Sequence, residues 1–256
     1  VGLILKNASF RDQHVAGVLA TEVRIQCGGA SLYGDLALPD GFKGLVLFAH
    51  GSGSGRHSAR NRQVAKILQN AGIGTLLFDL LTATEEQTDD RTGEHRFNIS
   101  LLTERMQDAT LWVLVQDQFK DVPIGYFGAS TGSAAALIAA ARLGERVAAV
   151  VSRGGRPDLA GPVVLAELHA PTLLIVGGDD VGIIKLTEKV YPFLRCEKKL
   201  VIVPHATHLF EESGALEQVS ALATDWFQRH LHKTTDTEAV MGRETACNLG
   251  VSKEDY

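Results

Sequence analysis

Six short apolar runs, "GLVLFAH", "GTLLFDL", "PIGYFG", "VAAVVS", "PTLLIVGG" and "KKLVIVPH", punctuate the chain from residue 44 to residue 205. They are near-continuous rather than alternating, as strands buried on both faces of a sheet are. Between them lie stretches whose apolar residues return at helical spacing, about 61–71, 101–119, 131–143, 183–194 and 214–230. Strand, crossover and strand in repetition imply right-handed connections and a parallel sheet covered by helices on both sides. Ahead of the first run, residues 23–39 alternate around Gly28 and Gly29, which predicts an antiparallel hairpin. The expected fold class is therefore α/β, a mostly parallel twisted sheet of about eight strands flanked by helices.

The chain totals narrow the function classes. At 45% hydrophobic and 21% charged residues the chain has the balance of a folded domain with a sizeable core, expected over residues 1–232. From residue 233 to 256 it turns polar with weak periodicity, the pattern of a loosely packed tail. Net charge is −5 and the basic residues are scattered, so no basic stripe offers itself to a nucleic acid. Apolar runs such as "SAAALIAAA" fall well short of the ~20 residues of a membrane span. Arg11, Asp12, Gln13 and His14 interrupt the apolar start, so no signal-peptide core forms there. Cys27, Cys196 and Cys247 lack metal or redox spacing and read as thiols in a reducing compartment. A cytoplasmic protein without membrane or nucleic-acid partners is expected. The chain begins at Val1 rather than Met, which leaves room for an upstream segment.

In open sheets of this kind, functional groups gather at the carboxyl ends of the strands, and four clusters fall there. One is Gly128-Ala129-Ser130-Thr131-Gly132, between an apolar strand and an alanine-rich helix. A serine on a sharp strand-to-helix turn is exposed above the sheet, and the close backbone approach around it demands small flanking residues. Such a hydroxyl becomes nucleophilic only with a base in reach and a carboxylate behind the base. The usual chain order behind such a turn is serine, acid, histidine. The sequence offers Ser130, then Asp179 or Asp180 in "GGDD", then His205 or His208 in "PHATHLF". Neighbouring side chains in extended chain point opposite ways, so only one aspartate can face the imidazole. Asp180 is preferred because it stands further beyond the strand, and His208 because it lies deeper in its loop. The fourth cluster, "HGSGSGR" at 50–56, brings flexible backbone near the serine, with Ser52 as the expected oxyanion donor and Gly53 behind it. The amide of Thr131, next to the nucleophile, is the other expected donor.

Together, Gly128–Gly132, "HGSGSGRHSARN", "LIVGGDD" and "ATHLFEE" resemble the α/β-hydrolase superfamily. The likeness is closer to its dienelactone hydrolase-like branch, which includes bacterial domains joined elsewhere to phosphoribosyltransferase domains. It covers about residues 21–231 and implies an α/β-hydrolase fold. By that resemblance Ser130, Asp180 and His208 match the catalytic triad, and Thr131 and Ser52 the oxyanion hole. Dienelactone hydrolases proper carry a cysteine nucleophile, whereas Ser130 stands here, which turns the expectation toward a serine esterase. A lactonase, thioesterase or peptidase on the same triad, or a non-catalytic interaction domain, are the alternatives.

No cofactor is expected, and the partner is a small-molecule ester. The histidine and aspartate pairs sit on separate loops, unlike a metal site. The short segment 153–170 leaves no room for a large cap, so short acyl groups are expected over long chains. Residues 82–98, "TATEEQTDDRTGEHRFN", are expected as the longest irregular stretch, either a pocket wall or a solvated loop. Arg56, Arg96 and Arg153 are candidates to hold a substrate carboxylate or to make structural ion pairs. Asp79 is expected to brace neighbouring loops, and His50 to be packed and hydrogen-bonded.

Overall fold

The computed structural model describes residues 13–15 and 17–231. Among these residues nine strands form one sheet: β1 (Gln13–Val15), β2 (Val18–Cys27), β3 (Ala30–Pro39), β4 (Leu45–Ala49), β5 (Gly74–Phe78), β6 (Ile124–Ala129), β7 (Ala149–Arg153), β8 (Thr172–Gly177) and β9 (Lys198–Val203). Their order is β1-β2-β3-β5-β4-β6-β7-β8-β9. The hairpin pairs Val23 with Gly34 and Cys27 with Ala30 across the Gly28-Gly29 turn. Pairings β1–β2, β2–β3 and β3–β5 are antiparallel, and those from β5 through β9 are parallel. The three-residue β1 extends the expected eight strands by one. β4 lies between β5 and β6, so the chain leaves it in one direction and returns on its other side. That reversal opens a crevice above the ends of β4 and β6, where the loops after them meet.

Among the described residues seven α-helices cover the sheet: α1 (Ala59–Asn70), α2 (Ala83–Thr92), α3 (Ile99–Leu114), α4 (Thr131–Leu143), α5 (Pro162–Glu167), α6 (Val181–Val190) and α7 (Ala215–His230). Strand side chains alternate between two cores. Val46, Phe48, Phe127 and Val151 pack with Val64, Leu68, Val219 and Phe227 of α1 and α7. Leu45, Leu47, Tyr126 and Val150 face Met106, Ala109, Val113 and Ala135 of α3 and α4. Each fully buried aliphatic or aromatic side chain contributes about 1.5–3 kcal/mol, so the double-sided sheet is the main stabilising element. Alanines 134, 135, 136, 139 and 140 are all buried, and their small size lets α4 lie close under its neighbours.

Where the helices differ from the sequence expectation, local chemistry accounts for it. The segment 82–98 is not irregular: it contains α2. Thr82 accepts from the amide of Glu85 at 3.2 Å, and Glu85 accepts from the amide of Thr82 at 2.7 Å, a reciprocal cap. Gly93, at φ 68°, ends the helix in the left-handed region. α3 stops at Leu114, short of 119, and a 3-10 turn over Asp117–Phe119 buries Phe119. α6 stops at Val190 because Pro192 cannot continue it, and a 3-10 turn follows. The tail expected over 233–256 lies outside the described residues. Among the described residues, no helix is long and apolar enough to cross a membrane.

Candidate active site

Ser130 joins β6 to α4 with φ 50° and ψ −123°, a conformation that a residue with a Cβ rarely adopts. Holding a residue there costs about 1–3 kcal/mol and persists only where the surroundings over-determine it. The Ser130 amide donates to the carbonyl of Arg153 at 3.2 Å, and the Ser130 carbonyl accepts from the amides of Ser133 and Arg156 at 3.1 and 3.2 Å. The flanking glycines serve close approach rather than positive φ. A Cβ on Gly128 would lie 2.5 Å from Cα of Ser133, and one on Gly132 would run into the carbonyl oxygens of His50 and Ala49. The turn thus presses α4 onto the ends of β4 and β6 and leaves the serine hydroxyl at the crevice.

His208 lies in the loop after β9, and its Nε2 is 3.2 Å from Oγ of Ser130. Its Nδ1 is 2.6 Å from Oδ2 of Asp180, so an Nδ1–H donates to the carboxylate while Nε2 faces the serine. Asp180 follows β8 and caps α6, its Oδ1 accepting from the amide of Ile183 at 3.4 Å. The loop backbones pack tightly: a Cβ on Gly177 would collide with the carbonyl oxygen of Ala206. His205 and Phe210, on either side of His208, have φ 58° and 56°. The structure thus gathers Ser130, His208 and Asp180 into one hydrogen-bonded chain. The alternatives Asp179 and His205 are exposed and outside it.

The other wall is the loop after β4. Oγ of Ser52 lies 2.9 Å from Oγ1 of Thr131, so the two residues expected to supply oxyanion amides meet through their side-chain hydroxyls. Thr131 is buried and opens α4, where helix amides lack intrahelical acceptors. His50 anchors this loop: Nδ1–H donates to the Gly51 carbonyl at 3.0 Å, and Nε2 accepts from the Leu80 amide at 3.0 Å. Burial lowers the His50 pKa, against a smaller upward pull from the Gly51 hydrogen bond and the charge of Asp79. The ring is held neutral, as those two bonds require. A cleft of about 50 Å³ adjoins the loop, lined in part by Ser52, Gly53, Leu80, Arg96 and Leu102.

The three arginines differ. Arg56 is an ion-pair hub, 2.5 Å from Asp79, 3.0 Å from Glu22 and 3.4 Å from Asp35, and Asp79 also accepts the Arg56 amide at 2.8 Å. It ties the middle of β2 and β3 to the end of β5. Arg96 donates from Nε to Asp89 Oδ2 at 2.6 Å and from Nη2 to the Asp89 carbonyl at 2.8 Å, while Asp89 Oδ1 accepts the amides of His95 and Arg96. Arg153 is buried at 6% exposure, and among the described residues no carboxylate pairs with it. Its position, and the left-handed Phe210 beside it, have no sequence signal; α2 does have one, the spacing Thr82-x-x-Glu85. Among the described residues, no group of three His, Cys, Asp or Glu side chains could hold a metal ion.

No family model matches the chain. It is 52% identical over 210 residues to the "Putative phosphoribosyl transferase" of Mycobacterium tuberculosis, across 82% of this chain and 46% of that protein. The chain therefore spans less than half the length of the curated relatives it matches. Among solved structures, Est1E from Butyrivibrio proteoclasticus shares the fold at 16% identity, with a TM-score of 0.68 over 81% of this chain and 98% of that one. The dienelactone hydrolase of Anabaena variabilis superposes with a TM-score of 0.83 at 52% identity, across 84% of this chain and 100% of that one. On that likeness over the full length of the Anabaena protein, the chain belongs to the dienelactone hydrolase family of the α/β-hydrolase superfamily.

Proposed function

We propose that this chain is a serine hydrolase of short-chain carboxylic esters, with Ser130 as nucleophile, His208 as base and Asp180 as the carboxylate that orients it. The supporting observation is the hydrogen-bonded chain from Ser130 Oγ through the His208 ring to Asp180, at 3.2 and 2.6 Å, starting from a strained elbow. In the reaction, His208 Nε2 takes the Ser130 proton as Oγ bonds to the ester carbonyl carbon. The carbonyl electron pair moves onto oxygen, which accepts from the amides of Thr131 and Ser52. Each such donor contributes on the order of 2.7–4 kcal/mol of transition-state stabilisation. Collapse of the intermediate breaks the bond to the alcohol oxygen, which leaves with the proton from His208. Water, deprotonated by His208, then attacks the acyl-enzyme and returns Ser130 with release of the acid. Asp180 stays ionised throughout and holds the Nδ1–H tautomer.

A short acyl group suits the site. Between β7 and β8 there is only a 3-10 turn over Pro157–Ala160 and the six-residue α5, so nothing there covers a long chain. The neighbouring cleft is about 50 Å³. Lactones are the second substrate class, favoured by the 52% identity to a protein named as a dienelactone hydrolase. Ring opening uses the same steps, with the alcohol still tethered to the acyl group. A cytoplasmic setting belongs to the same reading, in keeping with the unpaired thiols of Cys27 and Cys196.

The test is labelling by a fluorophosphonate together with hydrolysis of p-nitrophenyl acetate. Wild type is expected to do both, and Ser130→Ala neither, with turnover down by at least about 10³-fold. Turnover by Ser130→Ala at the wild-type rate would end the proposal. A lactone hydrolysed faster than every short ester would move the substrate assignment to the second class.

A further inference from the structure

Arg153 breaks an ordinary rule of protein interiors. A buried charge is normally paired, because desolvation of an unpaired ion is expensive. Here the guanidinium is enclosed; among the described residues its Nε has no hydrogen-bond partner, and its one polar side-chain contact is a 3.5 Å bond from Nη2 to Oδ1 of Asn61. Burial, with the nearby charge of Arg60, draws its pKa down to about 10, so it remains a cation at neutral pH. A methionine or leucine could fill the same space without that penalty. Departures of this kind are expected where position matters more than stability.

Three features of its surroundings indicate what is being positioned. The Arg153 carbonyl accepts the amide of Ser130 at 3.2 Å, so its backbone holds the elbow. Its guanidinium carbon lies 5.8 Å from the centroid of the Phe210 ring, within cation–π range. Phe210 is two residues beyond His208, fully buried, and held at φ 56°, where an aromatic residue does not rest unless its side chain is anchored. The next residue, Gly154, donates its amide to the Ile175 carbonyl in β8 at 2.8 Å, and a Cβ there would lie 3.1 Å from the His208 carbonyl oxygen. One dipeptide therefore touches the serine turn, the histidine loop and the strand that leads to Asp180.

Resting on the serine-hydrolase reading above, we infer that Arg153 is a positioning residue that sets the Ser130–His208 distance by gripping the elbow with its carbonyl and Phe210 with its guanidinium. It does not touch the substrate. Its removal loosens the histidine loop while leaving the cleft intact, and the effect falls on the chemical step rather than on binding. A displacement on the order of 1 Å in such a pair costs up to about a hundred-fold in rate.

The experiment is the kinetics of fluorophosphonate labelling, resolved into KI and the first-order constant kinact. The time constant reads only folded molecules, so a reduced folded fraction does not alter it. Arg153→Met is expected to lower kinact by about ten- to a hundred-fold with KI within about two-fold. Arg153→Lys keeps the charge and can still sit over the ring, so it should recover part of the loss. Phe210→Leu, which leaves Arg153 in place, should reproduce the same kinact-selective loss and serves if Arg153→Met fails to fold. An unchanged kinact in Arg153→Met, or in Phe210→Leu where that variant stands in, overturns the inference. So does a loss confined to KI. The outcomes are separable from failure of the parent reading: Ser130→Ala labelled like wild type sinks the triad, whereas labelled wild type, unlabelled Ser130→Ala and unaffected Arg153→Met sink only the role of Arg153.

Discussion

The elbow at 128–133 and the segment at 82–98 both border the crevice, yet they are held in place by different forces. At the elbow, backbone meets backbone: Gly132 lies so close to the carbonyls of His50 and Ala49 that no side chain fits. The 82–98 segment instead hangs on charged hydrogen bonds, with Asp89 accepting three donors from His95 and Arg96 and a cap closed between Thr82 and Glu85. Steric exclusion is all-or-none and indifferent to pH and salt. Ionic latches are graded and respond to both. A site built this way has one wall fixed by shape and one wall fixed by charge.

The largest expected effect breaks the first wall. Gly132→Ala forces a Cβ against two backbone carbonyls that have no rotamer to adopt, and destabilisation of about 3 kcal/mol or more is expected in urea unfolding. Gly128→Ala meets backbone atoms of Ser133 in the same way. Gly182, inside α6, is the control: a Cβ there has nothing within 4 Å, so Gly182→Ala should be neutral or stabilising by up to about 1 kcal/mol. Equal penalties at 132 and 182 would show that the elbow is not sterically fixed.

The same contrast governs how much could be read from the sequence. Gly128 and Gly132 around Ser130 are legible because close approach permits only one residue type, and the order of acid and histidine follows from strands whose apolar runs are unmistakable. Asp180 is favoured over Asp179 in the sequence because it stands further beyond the strand, and the structure puts Asp180 against His208 with Asp179 exposed. By contrast, α2 is almost wholly polar, with Asp89 its one buried residue, so hydrophobic periodicity could not announce it. Only its cap was visible. Arg153 could not be placed, because an arginine in sequence gives no hint of burial without a counter-ion. The left-handed turn at Phe210 gives no signal for a related reason: an aromatic residue is not one that tolerates φ > 0 readily.

A smaller effect tests the second wall. Asp89→Asn keeps an acceptor for the two amides but removes the charge facing Arg96, which should destabilise by about 1–3 kcal/mol. The change is expected to be local, read as faster proteolytic cleavage within 82–98 while labelling of the serine is largely retained. Because Oγ of Ser52 donates to the Arg96 carbonyl at 3.4 Å, a modest loss of turnover should accompany it. A loss as large as that of Gly132→Ala would mean that the segment and the elbow are one mechanical unit.

The finest distinction is in acid, where the loop after β4 and the 82–98 segment should yield in different pH windows. Burial pushes the carboxyls of Asp89 and Glu85 upward. It is outweighed at Asp89 by the amides and guanidinium of Arg96 and His95, and at Glu85 by the Thr82 cap and the charge of Arg105, so both end below their usual values. A carboxylate depressed by folding stabilises fully above its unfolded pKa, about 4, and the stabilisation disappears as pH falls through the folded value. His50 works through the opposite charge but the same direction of pH. Its folded pKa is lowered, so below about 6.5 the unfolded chain takes up a proton that the folded chain refuses, and stability declines from there downward. Each group limits its own slope to about 1.4 kcal/mol per pH unit. Urea midpoints measured across pH should therefore show a decline beginning near 6.5 that His50→Gln flattens, since glutamine can donate to Gly51 and accept from Leu80. A second decline below about 4 should flatten in Asp89→Asn. If Asp89→Asn instead removed the upper decline, the loop after β4 would owe its acid sensitivity to the neighbouring segment rather than to the histidine inside it.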